Sequence, residues 1–71
     1  MPVGQRLREL RKSRKLTQAQ VAAGINCTHA AYNRYENGER QPPMETLAML
    51  ADFFGVSLDY LYGRTPLSDS A

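Results

Sequence analysis

At 71 residues the chain has room for one domain, and a fold of this size buries only about 60% of the surface its open chain exposes, so its core must be thin. A single cysteine, Cys27, excludes an internal disulfide, and with a single histidine, His29, it cannot assemble a four-ligand zinc site. The net charge is +2 but unevenly placed: residues 1–40 carry eight Lys and Arg against three Glu (+5), and residues 41–71 one Arg against four acids (−3). One half could face a polyanion while the other faces solvent or a partner; a solvated helix surface is the alternative.

No apolar run approaches the ~20 residues of a membrane span, and the opening MPVGQRLREL lacks the apolar stretch of a signal peptide. A soluble cytoplasmic protein with no membrane contact is expected, and the unpaired cysteine suits a reducing compartment.

In chain order the pattern predicts five helices and no strand. Val3, Leu7 and Leu10 recur at intervals of four and three, giving a helix over about 3–14 with basic side chains outward. Leu16 leads into the second helix. There Thr17 is the N-cap, and Gln20 three residues on completes a capping box. Val21 and Ala22 face the core, and the helix ends near Ala23 or Gly24.

The turn Gly24-Ile25-Asn26-Cys27 needs a residue that tolerates positive φ, either Gly24 or Asn26, with Ile25 pointing inward. Thr28 caps a third helix that runs to about Glu36. Tyr32 and Tyr35 lie on its buried side, and Asn37-Gly38 ends it. Gln41-Pro42-Pro43 is a stiff connection into a fourth helix, whose buried stripe is Met44, Leu47, Leu50, Ala51 and Phe54 and whose terminator is Gly55. Ser57 caps a short last helix with Asp59 in its first turn. Residues 1–64 form the domain, and 65–71 a short flexible tail.

The segments TQAQVAAGINCTHAAYNRYENGER and METLAMLADFFGVSLDYLYG resemble the Cro/repressor-type helix-turn-helix domain, also called the xenobiotic response element family, of bacterial and phage regulators. The LTQ opening, Ala22, the ENG ending, the ETL start and the GVSLDYL close all fall in register over about residues 3–64. The resemblance implies an all-α, compact five-helix bundle of the lambda-repressor-like DNA-binding type, with helices two and three as the helix-turn-helix and helix three as the reader. It also implies that Arg11 pairs with Glu36, sheltered from water. Two departures stand out. Asn26 occupies a position often held by glycine, and Tyr32 and Tyr35 replace aliphatic residues, which requires each hydroxyl to reach solvent, a phosphate or a backbone partner.

With the two tyrosines inward, His29, Ala30, Asn33 and Arg34 are the candidates for base edges. Arg34 suits guanine O6/N7 or a phosphate, Asn33 adenine N6/N7, His29 a guanine acceptor, and the Ala30 methyl thymine. Phosphate contacts are expected from Thr17, Gln18, Thr28, Asn37 and Arg40, with Arg14 and Lys15 as further candidates. Met49, Phe53 and Tyr60 are expected to form a homodimer interface, against the alternative that Phe53 and Tyr60 fill the core.

The partner expected is double-stranded DNA. No cofactor, metal or small-molecule effector is expected, since the chain contains no separate effector domain. Function is then sequence-specific transcriptional regulation, as a repressor. The alternatives are an antitoxin, a restriction-system controller or a protein-interaction adaptor on the same fold. Catalysis is not expected, because Cys27 and His29 lack a third group to orient the histidine.

Overall fold

In the computed structural model, residues 2–63 are described; the tail expected from 65 onward lies outside the described residues. Helices α1 (Pro2–Ser13), α2 (Gln18–Gly24), α3 (His29–Asn37), α4 (Met44–Phe54) and α5 (Leu58–Leu61) follow in order, with no strand among them. None is long and apolar enough to cross a membrane. The apolar faces turn inward to a shared core: α3 packs against both α1 and α2, while α5 closes the bundle against α1 and α4.

Helices this short are marginal on their own, so their ends matter. Three starts are capped by side-chain oxygens. Thr17 and Gln20 form the full capping box, Thr28 Oγ1 accepts from the Ala31 N–H at 3.1 Å, and Ser57 Oγ accepts from Tyr60 at 3.0 Å. Pro43 precedes α4 without a side-chain cap.

Four helices finish on one device. After each, a residue enters the left-handed region and two backbone N–H groups reach back to the last turn, at Lys15 (φ 57), Asn26 (φ 59), Gly38 (φ 77) and Gly55 (φ 70). At α1, for example, Lys15 N–H donates to Lys12 O at 3.0 Å and Leu16 N–H to Arg11 O at 3.1 Å. The residues that follow three of these turns, Leu16, Cys27 and Val56, fold back against the core. In the α2–α3 turn Asn26 therefore supplies the positive φ, while Gly24 is the last residue of α2.

Val3, Leu7 and Leu10 of α1 are buried, as are Val21, Ile25, Tyr32, Leu47, Leu50, Phe54 and Leu61. Met44 departs from the expected stripe. At the first turn of α4 it is 61% exposed, whereas Leu47, Leu50, Ala51 and Phe54 further along the helix are buried. Two arginines also belong to the fold. Arg14 donates from Nη2 to the Phe54 carbonyl at 2.7 Å and lies over the Phe54 ring, so it caps the C-terminus of α4. Arg6 stacks on Tyr60 at 4.5 Å.

Gly4 marks the closest approach. A Cβ there would stand 2.6 Å from the carbonyl oxygens of both Tyr35 and Glu36, which are backbone atoms that cannot rotate away. Gly4→Ala is therefore expected to push α1 off the end of α3 and to cost about 1–3 kcal/mol. Lys15→Gly, which relieves a left-handed lysine, is expected to gain about 0.5–1 kcal/mol. Thermal melts of the two variants should move in opposite directions; equal shifts would contradict this reading of the α1 contacts.

Candidate nucleic-acid interface

The position of α3 follows from which of its residues lose water. Tyr32 is fully buried, Tyr35 is 7% exposed and Glu36 4% exposed, a one-sided set at helical spacing. The opposite side carries His29, Ala30 and Arg34, all exposed, with Asn33 half-buried at its flank. Thr28 starts this helix at the α2–α3 turn, so α2, the left-handed Asn26 and α3 together make a helix-turn-helix.

The buried carboxylate is the polar centre of the site. Arg11 donates from Nε to Glu36 Oε2 at 2.6 Å and from Nη2 to Oε1 at 3.1 Å, a two-pronged pair, and its Nη1 donates to the Leu16 carbonyl at 3.0 Å. Gln18 Nε2 donates to Glu36 Oε1 at 3.0 Å. Arg8, half-exposed, approaches the same oxygen at 3.6 Å and donates to Asn37 Oδ1 at 3.0 Å. Burial alone would raise the Glu36 carboxyl, but the hydrogen bonds from Arg11 and Gln18 outweigh it and hold the group below its ordinary value of 4.5. The same hydrogen bond from Arg11 to Glu36 raises the guanidinium further, so both partners stay charged.

Tyr32 is the departure within this cluster. Its hydroxyl is buried beside the Glu36 carboxylate and reaches neither solvent nor a backbone partner. Burial, with the Glu36 carboxylate nearby, pushes its pKa far above the usual phenol range and keeps it neutral.

The candidate contact residues divide into free and engaged groups. Arg34 and Arg40 are exposed and make no ion pair among the described residues. Thr17 and Thr28 use their oxygens as caps, which leaves each hydroxyl proton to be donated outward. Gln18 and Asn37 already hold partners, Glu36 and Arg8 respectively. Arg14 is turned away to the end of α4, so it is unavailable to a ligand at α3. Lys15 is exposed at the left-handed end of α1.

On α4, Met49 is 42% and Phe53 38% exposed. Phe53 is not wholly outside the fold: its ring lies against Gly24 and meets Phe54 edge to face at 5.1 Å. Tyr60, expected with them, is only 6% exposed under Arg6, so its ring lies in the core and not on that surface. Cys27 is half-buried, its thiol donates to Thr28 O at 3.4 Å, and burial raises its pKa, the reverse of what an activated nucleophile needs. Among the described residues no group of His, Cys, Asp and Glu is placed to hold a metal ion.

Sequence reasoning missed three internal roles. Gln18 bridges Glu36 to His29, whose Nε2 lies 3.0 Å from Gln18 Oε1. Arg8 ties α1 to the end of α3, and Gly4 permits their approach. A glycine interrupting an otherwise regular helical pattern was the one available signal for such a contact.

Comparison with known proteins agrees with this geometry. The helix-turn-helix family profile matches residues 7–61, and the chain belongs to the Cro/repressor-type helix-turn-helix family. It is 44% identical over 61 residues to the HTH-type transcriptional regulator YobD of Bacillus subtilis, covering 86% of this chain and 54% of that protein. It is 42% identical over 64 residues to the cryptic phage CTXphi transcriptional repressor RstR of Vibrio cholerae, covering 90% and 57%. The HTH-type transcriptional activator BcrR of Enterococcus faecalis is 34% identical over 61 residues, covering 86% and 30%. The chain thus spans about half the length of YobD and RstR. No solved structure matches it significantly.

Because Glu36 titrates below its ordinary value in the folded protein, its contribution is present above pH 4.5 and is lost as the pH falls through the depressed value. Glu36→Ala leaves Arg11 largely buried without its partner and is expected to cost roughly 3 kcal/mol at neutral pH. The gap between wild type and variant in urea unfolding should close as the pH is lowered past 4.5. A gap independent of pH would mean that the loss is one of packing rather than of charge.

Proposed function

We propose that the protein is a sequence-specific double-stranded DNA-binding transcriptional regulator, acting in the cytoplasm as a repressor, with α3 entering the major groove. The observation that carries this reading is the division of α3. Tyr32, Tyr35 and Glu36 bind it to the fold, while His29, Ala30 and Arg34 stand exposed, Asn33 lies at their flank, and Arg34 and Arg40 make no ion pair among the described residues. A helix and its side chains fill a B-DNA major groove about 12 Å wide, where each base pair presents its own donor and acceptor pattern.

In this reading Arg34 forks onto guanine O6/N7, Asn33 pairs with adenine, and the Ala30 methyl meets the thymine methyl. Thr17, Thr28 and Arg40 hold phosphates, together with Gln18 and Asn37 where their internal partners allow, and so fix the register without reading sequence. The name of RstR supports repression. The thin core and the exposed Met49 and Phe53 support a homodimer through α4 and the neighbouring end of the domain. A two-fold pair would set its reading helices about 34 Å apart, one turn of the duplex.

Duplex affinity is expected to fall steeply with salt. Arg40→Ala should weaken binding to all sequences alike and reduce the slope of log affinity against log salt by about 1. Arg34→Ala should cost about 1–3 kcal/mol at one base position and relax preference there. Selection of bound sequences from random duplexes checks both, and a palindromic consensus is expected. Failure to enrich any duplex, with a partner protein captured by the same surface, would instead favour an adaptor.

A further inference from the structure

The interior hydrogen bonds of α3 reach its outward face through a single amide. Glu36 as a carboxylate can only accept, and its Oε1 accepts a hydrogen bond from Gln18 Nε2–H at 3.0 Å. This fixes which end of the Gln18 amide faces inward. The carbonyl Oε1 is left to meet His29 Nε2 at 3.0 Å, and a carbonyl can only accept, so Nε2 must carry the proton. A neutral imidazole with hydrogen on Nε2 has a bare lone pair on Nδ1, on the other side of the ring of an exposed residue.

We propose that Glu36 is a positioning residue for base recognition: through the Gln18 amide it holds His29 with Nε2–H inward and Nδ1 outward. A neutral His29 therefore accepts from an adenine N6 or cytosine N4 amino group, and a protonated one donates to guanine N7 or O6. The inference rests on the DNA-binding reading above and deepens it. Protonation of Nδ1 leaves the inner contact intact, because Nε2–H donates to Gln18 in both forms. Only the outward atom changes, from acceptor to donor, so the base preferred changes while the ring stays in place.

Few other groups bear on that ring. α2, which packs against α3, contains no charged side chain, so Gln18 is its polar group facing the imidazole. Behind Gln18 stand Glu36 with Arg11 and Arg8 of α1. On α3 itself the charged residues are Arg34 and Glu36, and the Cys27 thiol in the preceding turn is bonded to the Thr28 carbonyl. Glu36 is held ionised by Arg11 and Gln18, so the relay keeps its polarity across the range in which imidazoles titrate.

The test joins nitrogen-15 imidazole spectra of the free protein to sequence selection from random duplexes, at about pH 5.5 and about pH 8, either side of the imidazole range. At the higher pH wild-type His29 should be the Nε2–H tautomer. Gln18→Ala keeps the Arg11–Glu36 pair and should show a distinct Nδ1–H population. The base position read by His29 is the one whose preference disappears in His29→Ala. There, wild type should favour adenine or cytosine at the higher pH and guanine at the lower, by about tenfold each way, and Gln18→Ala should blur both preferences.

An Nδ1–H tautomer in wild type, or identical spectra for wild type and Gln18→Ala, overturns the relay. An enriched consensus with the same base at both pH values overturns the role in recognition while leaving the DNA reading intact. If no duplex is enriched at either pH, the DNA reading itself falls and the base preference with it, and the spectra then decide the relay alone.

Discussion

The Glu36 carboxylate is the constraint on which the arrangement of the first three helices depends. It is a charge withdrawn from water in a domain too small to hide much, and it is compensated by donors from two other helices, Arg11 on α1 and Gln18 on α2. A buried ion pair is weak evidence for stability, since an apolar pair of the same volume can serve as well or better. What it supplies here is direction. An apolar contact tolerates sliding, whereas the two-pronged guanidinium and the amide each have one geometry, so α1, α2 and α3 are held in a single register.

The rest of the bundle is built to let such short helices exist. α2 has seven residues and α5 four, below the length at which a helix persists alone. Side-chain caps at three starts and left-handed turns at four ends satisfy backbone groups that would otherwise be lost at each boundary. The residues after three of those turns, Leu16, Cys27 and Val56, also return the chain to the core, so each stop in a helix adds apolar contact. Arg14 joins this scheme by covering the carbonyl end of α4.

These constraints divide the basic half of the chain by task. Arg6, Arg11 and Arg14 are held by Tyr60, Glu36 and Phe54, and Arg8 by Asn37 and Glu36. Arg34 and Arg40 remain outside any ion pair among the described residues. Net charge counted along the sequence therefore overstates the charge free to meet a polyanion. The outward face of α3 owes its chemistry to a few side chains held by a rigid scaffold, and one of them, His29, is itself held from behind.

The amino-acid order by itself determined what is local. Apolar spacing gave the five helices, Thr17 with Gln20, Thr28 and Ser57 marked three starts, and Gly38 and Gly55 marked two ends, because capping and left-handed backbone depend on residues within a few positions of each other. The inward place of Tyr32 and Tyr35, and so the outward place of His29, Ala30 and Arg34, follows from helical period in the same way. Only the tertiary structure decided that Met44 is exposed and Tyr60 covered, that Arg14 serves α4, and that Gln18 links Glu36 to His29. Each of these depends on which helix lies opposite, across separations of 11 to 40 residues in the hydrogen-bonded cases. Periodicity tells which side of a helix is inward, but it does not tell what waits there.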